Sequence, residues 1–223
     1  ADELEKAEDF ESALHDLIRR TIHEHKRIIF NGNGYDDAWI KEATEKRGLL
    51  NLRTTPDAMP TILEKKNVDM LTGLKIFTKP EIESRYEIMM ENYVKTDSIE
   101  AQTMVDMARK EILPAVEQYT KALSDTLAAK LAVVPSLSSK YEVGTITKLS
   151  TLVDQIDQAV GELEQAIFHL KTITSVTEAA FNIRDAVLPK MAALRVVCDE
   201  AETLTAESFW PFPTYDKLLF GVK

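Results

Sequence analysis

The sequence is short of glycine, of cysteine and of positive charge, and each shortage closes off a class of protein. Seven glycines serve 223 residues, and four of them, Gly32, Gly34, Gly48 and Gly73, fall in one early stretch. The remainder has few positions for tight turns or strand corners, so long helices are expected there. A single cysteine, Cys198, has no second thiol to pair with, which excludes a disulfide framework and fits a reducing, cytoplasmic location. With 27 basic against 37 acidic residues the net charge is -10, the wrong balance for a phosphate-backbone footprint, and no nucleic-acid partner is expected. No apolar run approaches the roughly 18 residues that a membrane span needs, so no membrane partner is expected either. Ala1 already lies in a charged helical pattern with neither a signal peptide nor a transit segment, and the sequence reads as a piece of something longer.

What is present is helical periodicity. Apolar residues at Leu4, Phe10, Leu14, Ile18, Ile22 and Ile29 largely follow a three-to-four step, predicting a first helix from Leu4 to Ile29. It leads into NGNGYDDAW, where Asp36 or Asp37 is placed to cap a helix that Gly48 closes. From Leu49 to Gly73 the prolines Pro56 and Pro60 break any long period, so short helices or turns are expected, with a domain boundary there: residues 1–50, then 51–223. Pro80 suits the first turn of the next helix, and Asp97 with Glu100 three residues on reads as a capping box starting another. That second helix contains Pro114, and the last long helix, from Ile183 to Leu204, contains Pro189; both prolines predict kinks. After a loop with Pro135 and Gly144, the residues Leu149, Val153, Ile156, Val160, Leu163, Ile167 and Leu170 alternate steps of four and three, a seam for helix packing. The expected class is all-α: long antiparallel helices in a bundle, with kinked helices and a short aromatic C-terminal segment.

Patterns that could carry chemistry resolve into structural readings. Asn31-Gly-Asn-Gly34 lacks the GxxxxGK[ST] arrangement of a phosphate loop and has no convincing strand before it, so a turn is expected. His23 and His25 lie two apart, about 200° around a helix axis, and cannot share an ion. No Glu-x-x-His pair occurs of the kind di-metal bundles use, and no G-x-S-x-G elbow appears. Met89, Met90, Met104 and Met107 fall on apolar stripes and are expected in the core, with Cys198 behaving as a small hydrophobe. From the residues alone, no catalytic, cofactor-binding or metal-ligating residue is assigned.

The ending, SFWPFPTYDKLLFGVK, concentrates Phe209, Trp210, Phe212, Tyr215, Leu218, Leu219 and Phe220 around two prolines, and holds one of the two tryptophans. Pro211 and Pro213 make no PxxP unit, and charges are too few for a membrane-surface anchor. An intramolecular clamp is left, with Thr214 capping a last helical turn and the seven apolar residues as docking candidates onto the chain's own fold or onto a domain outside this sequence.

Three stretches together resemble the C-terminal part of type III glutamine synthetases, a large-subunit class found mainly in bacteria. They are RIIFNGNGYDDAWIKEATEKRGLLNLRTTPDA (Arg27 to Ala58), PEIESRYEIMMENYVKTDSIEAQTMVDMARKEILPAV (Pro80 to Val116) and FWPFPTYDKLLF (Phe209 to Phe220). The resemblance implies a parent ligase that joins ammonia to glutamate with ATP and divalent metal, Mg or Mn, in a ring-shaped homo-oligomer. It implies too that the metal ligands and nucleotide-binding residues lie upstream, so that no catalytic residue carries over to this sequence. Residues 1–50 would then be the helical end of the catalytic domain, and 51–223 an appended bundle acting in packing, assembly or regulation. The alternative is a free-standing adaptor that presents the 149–170 seam to a partner helix; burial of Val153, Val160 and Ile167 decides between them. A ligand-sensing bundle is a third possibility, requiring a pocket with convergent polar groups.

Overall fold

The computed structural model describes residues 2–221, which divide between Arg53 and Thr54 into two compact units. Among the described residues all regular structure is helical, as the periodicity requires.

In the first unit the expected single helix is two: α1, Asp2–Glu5, and α2, Phe10–His25. The reason lies in Asp9, whose side chain accepts from the backbone amides of Glu11 (3.1 Å) and Ser12 and from the Ser12 hydroxyl (2.6 Å). An N-cap needs an extended backbone, so one continuous helix cannot pass through Asp9 and α2 starts afresh there. The six-residue gap between Leu4 and Phe10, too wide for one helical step, marks the break. A 3₁₀ turn, Lys26–Ile28, ends α2. Helix α3, Asp37–Glu45, is capped by Asp36, which accepts from Ala38 N at 3.0 Å. Gly48 closes it at φ +62°, the left-handed conformation that glycine adopts without a Cβ penalty. No residue of α2 is buried: Phe10 is 56%, Ile18 49% and Ile22 52% exposed.

The second unit opens with the short pieces expected of its prolines: α4 (Thr55–Ala58), a 3₁₀ turn (Met59–Leu63) and α5 (Lys65–Gly73). Helix α6, Lys79–Met107, begins where Pro80 indicates, with the Thr78 amide and hydroxyl both donating to Glu81 Oε2 at 2.7 and 2.8 Å. No helix starts at Asp97, contrary to the capping-box reading. Asp97 lies inside α6 on the stripe that also carries the buried Met90, Ala101 and Val105, and burial of that face keeps the helix running past an Asp-x-x-Glu signature.

Both interior prolines follow a π turn, a feature the sequence does not announce. Ala108–Ile112 precedes α7 (Leu113–Val133), and Ile183–Val187 separates α9 (Val176–Asn182) from α10 (Leu188–Leu204). In each case the proline is the second residue of the new helix, and the amide before it reaches five residues back: Leu113 N to Ala108 O, Leu188 N to Ile183 O. Widening the turn relieves the clash between a proline ring and the carbonyl four residues earlier.

Helix α8, Lys140–Leu170, begins before the seam and takes Gly144 into its first turns. Leu149, Ile156, Val160 and Leu163 have no exposed surface, Ile167 and Leu170 are buried, and Val153 packs against the same core. Their partners are on α6, α7 and α10, so the seam is the centre of the bundle. The π turn and α7 run antiparallel to α8: Arg109 of the π turn meets Glu164 (3.1 and 2.6 Å) at one end, and Lys130 of α7 meets Glu142 (2.6 Å) at the other. Glu142 is buried on α8, and Lys130 holds its carboxyl below the usual carboxylate range by hydrogen bonding to it.

Candidate functional site

Three places in the structure gather side chains that bear on a candidate site. The first is the NGNG turn, which the first unit uses to pack an aromatic pair. Asn33 Oδ1 accepts from Tyr35 N at 3.1 Å, a local turn bond. A Cβ at Gly32 would come within 2.5 Å of the Phe30 ring, so glycine is needed for space there. That ring stacks on Trp39, centroids 3.8 Å apart and planes 13° from parallel. The Arg47 guanidinium lies 4.8 Å from the Trp39 ring and donates to Glu42 (2.9 and 2.6 Å) and to the Ile29 carbonyl (2.7 Å). The turn is thus occupied by its own packing. Among the described residues no three of the His, Cys, Asp and Glu side chains gather as a metal cluster, and His23 and His25 are both exposed on α2.

The second place is a polar junction beside the second π turn. Arg184 pairs with Asp57 of α4 and, at 2.7 and 2.8 Å, with Asp185, while its guanidinium lies 4.7 Å from the Phe181 ring. Tyr93 Oη, Asp97 Oδ2 and Asn182 Oδ1 are buried without a hydrogen-bond partner. Burial, and then the nearby Glu100 charge, push the Asp97 carboxyl above the usual range.

The third is the aromatic ending, where the structure separates the seven candidates into two groups. Phe209 tilts against Tyr119 with centroids 5.3 Å apart, and Trp210 meets Phe212 edge-on at 6.2 Å. Trp210 and Phe212 pack on the core and, with Met104, Met107, Leu194 and Cys198, line a groove of about 250 Å³. Of the four methionines expected in the core, Met90 is fully buried, Met104 packs against the core while lining the groove with Met107, and Met89 is half exposed. Cys198 is buried at the groove floor, and desolvation, with the neighbouring Asp199 charge, pushes its thiol up to about 11. A thiol so poised stays protonated and unreactive. Beyond Pro213 the chain forms α11, Tyr215–Phe220, with Tyr215, Leu218, Leu219 and Phe220 between 63% and 82% exposed. Lys217 pairs with Glu207 at 2.5 Å, but both partners are well exposed and the pair adds little.

Comparison with known proteins places the sequence. The family model described as the glutamine synthetase C-terminal domain matches residues 13–131, just over half of the chain. The chain belongs to this family. Among its relatives, a glutamine synthetase of Butyrivibrio fibrisolvens is 36% identical over 97% of this chain and 31% of its own length. A type-3 glutamine synthetase of Dictyostelium discoideum is 29% identical over 96% of the chain and 30% of its own length. A glutamine synthetase of Bacteroides fragilis is 27% identical over 94% of the chain and 29% of its own length. The chain therefore spans about a third of the length of the relatives it matches. The family resemblance read from the three sequence stretches holds, and the all-α class with it.

Proposed function

We propose that the chain is the non-catalytic helical portion of a type III glutamine synthetase, and that it serves packing and subunit assembly. The parent enzyme would make glutamine from glutamate, ammonia and ATP with Mg or Mn in the cytoplasm, as a ring-shaped homo-oligomer. Residues 1–50 would complete the catalytic domain's helical layer, and residues 51–223 would form the appended bundle. One observation carries this reading: α2 is amphipathic yet has no fully buried residue, leaving Phe10, Ile18 and Ile22 exposed along one face. An apolar stripe of that kind marks a surface meant to be covered, and the relatives' greater length supplies a covering domain. The exposed residues of α11 offer a second contact of the same sort. The adaptor alternative needs the 149–170 seam as a free surface, and that seam is core.

The test uses the purified 223-residue chain. It is expected to form no glutamine from ATP, glutamate and ammonia, and to self-associate through α2 with fast amide exchange in that helix. Glutamine formation by the chain, or a strict monomer with α2 strongly protected from exchange, overturns the reading.

A further inference from the structure

Apart from assembly, the first unit holds a hollow of about 430 Å³ lined by Lys26, Arg27, Ile29, Lys46 and Arg47, with no acidic residue in its wall. In a chain of net charge -10 this concentration of cations is unusual. Its construction is specific. Lys26 and Arg27 lie on the 3₁₀ turn after α2, Lys46 and Arg47 just past α3, twenty residues away in sequence. Arg47 draws the two ends together by donating to the carbonyls of Arg27 (3.4 Å) and Ile29 (2.7 Å).

Cations at helix C-termini ordinarily offset the carbonyl end of the helix dipole. Here Arg47 takes up two of the exposed carbonyls, and its own charge is matched by Glu42 at 2.6 Å. Lys26, Arg27 and Lys46 are left without an ion pair among the described residues, facing one solvent hollow. Like charges held together repel, and an anion of matching size removes that repulsion on binding. Guanidinium groups such as that of Arg27 give a planar, two-pronged donor for phosphate oxygens, with the lysines as point charges beside it.

We infer that this hollow is a binding site for a phosphate-bearing small molecule. The concave shape and the three unmatched cations favour a compact multiply charged group over an extended acidic peptide.

The experiment is calorimetric titration of the full chain with pyrophosphate, and with inorganic phosphate, each against sodium chloride of matched ionic strength. Saturable binding of one pyrophosphate per chain is expected, tighter than phosphate, with no response to chloride. The variant carrying Lys26→Gln and Lys46→Gln removes two exposed charges from the hollow. It is expected to keep its helical circular dichroism and to bind pyrophosphate about tenfold more weakly. Arg27→Lys, keeping the charge but losing the fork, should weaken binding less than the double variant. Absence of saturable binding, equal binding by the double variant, or binding of poly-glutamate but not pyrophosphate overturns the assignment. Because neither the ligand nor the variants involve the exposed face of α2 or glutamine formation, this outcome is independent of the assembly reading.

Discussion

Replacing Leu163 by alanine tests whether the heptad seam is the core of the second unit. Leu163 has no exposed surface and sits among buried residues of α8 and its neighbours. Removing three carbons from that environment costs about 2.4 kcal/mol in transfer free energy at about 0.8 per methylene. A fully enclosed site relaxes incompletely, and the cavity left behind raises the expected loss to about 3 to 4 kcal/mol. For a unit of this size each kcal/mol shifts the melting midpoint by roughly 2 to 4 °C, giving a fall of roughly 6 to 16 °C. Phe168→Ala, five residues on along the same helix but 73% exposed, is the matched control and should change stability by less than about 0.5 kcal/mol. Urea denaturation followed by circular dichroism measures both, with an unchanged slope showing that only the midpoint moved. If Leu163→Ala cost no more than Phe168→Ala, and instead changed association with another protein, the core assignment would be wrong and the adaptor reading would return.

Three further outcomes are expected. Deleting Ser208 to Lys223 removes the half-buried Trp210 and Phe212 from the core edge and should lower stability by about 2 kcal/mol; an unchanged melting curve would show that this segment anchors nothing within the chain. Asp97 has a folded-state pKa above its unfolded one, so the folded chain binds that proton more tightly and stability falls as pH rises through the window between the two. Asp97→Asn should therefore stabilise the protein at neutral pH and flatten that limb of the pH profile; a variant less stable than the parent at pH 7 contradicts this. Cys198, with its thiol at about 11, should react with iodoacetamide at pH 8 about a hundredfold more slowly than in urea-unfolded chain, and equal rates in the two states would show the groove floor to be open.

How much of this was legible in the sequence depends on how local each cause is. The 149–170 seam, the cap at Asp36, the closure at Gly48 and the start of α6 at Pro80 follow from residue types at fixed spacing, and the structure shows them where the spacing places them. The errors arise where a local signal competes with something distant. Asp97 and Glu100 have the spacing of a cap, but burial of Met90, Ala101 and Val105 on one face overrides it. Asp9 lies inside the single helix that the apolar spacing predicts, but it caps a separate α2 by accepting two amide hydrogen bonds. The π turns were invisible because a proline indicates that a helix must adjust, while only its surroundings decide how. The hollow between the ends of α2 and α3 is not legible for the same reason: Lys26 and Lys46 are ordinary surface lysines until Arg47 bridges the two segments.

The sequence by itself determined that this protein is helical, where α3 and α6 begin, which face of α8 is apolar, and to which family it belongs. Periodicity, caps and motif spelling are properties of neighbouring residues, and need no fold to be expressed. The tertiary structure alone decided which apolar faces find partners. The α8 seam meets α6, α7 and α10 and disappears into a core, Trp210 and Phe212 close on that core, and the faces of α2 and α11 stay exposed. Burial depends on what lies across a gap in space, and no single segment carries that information.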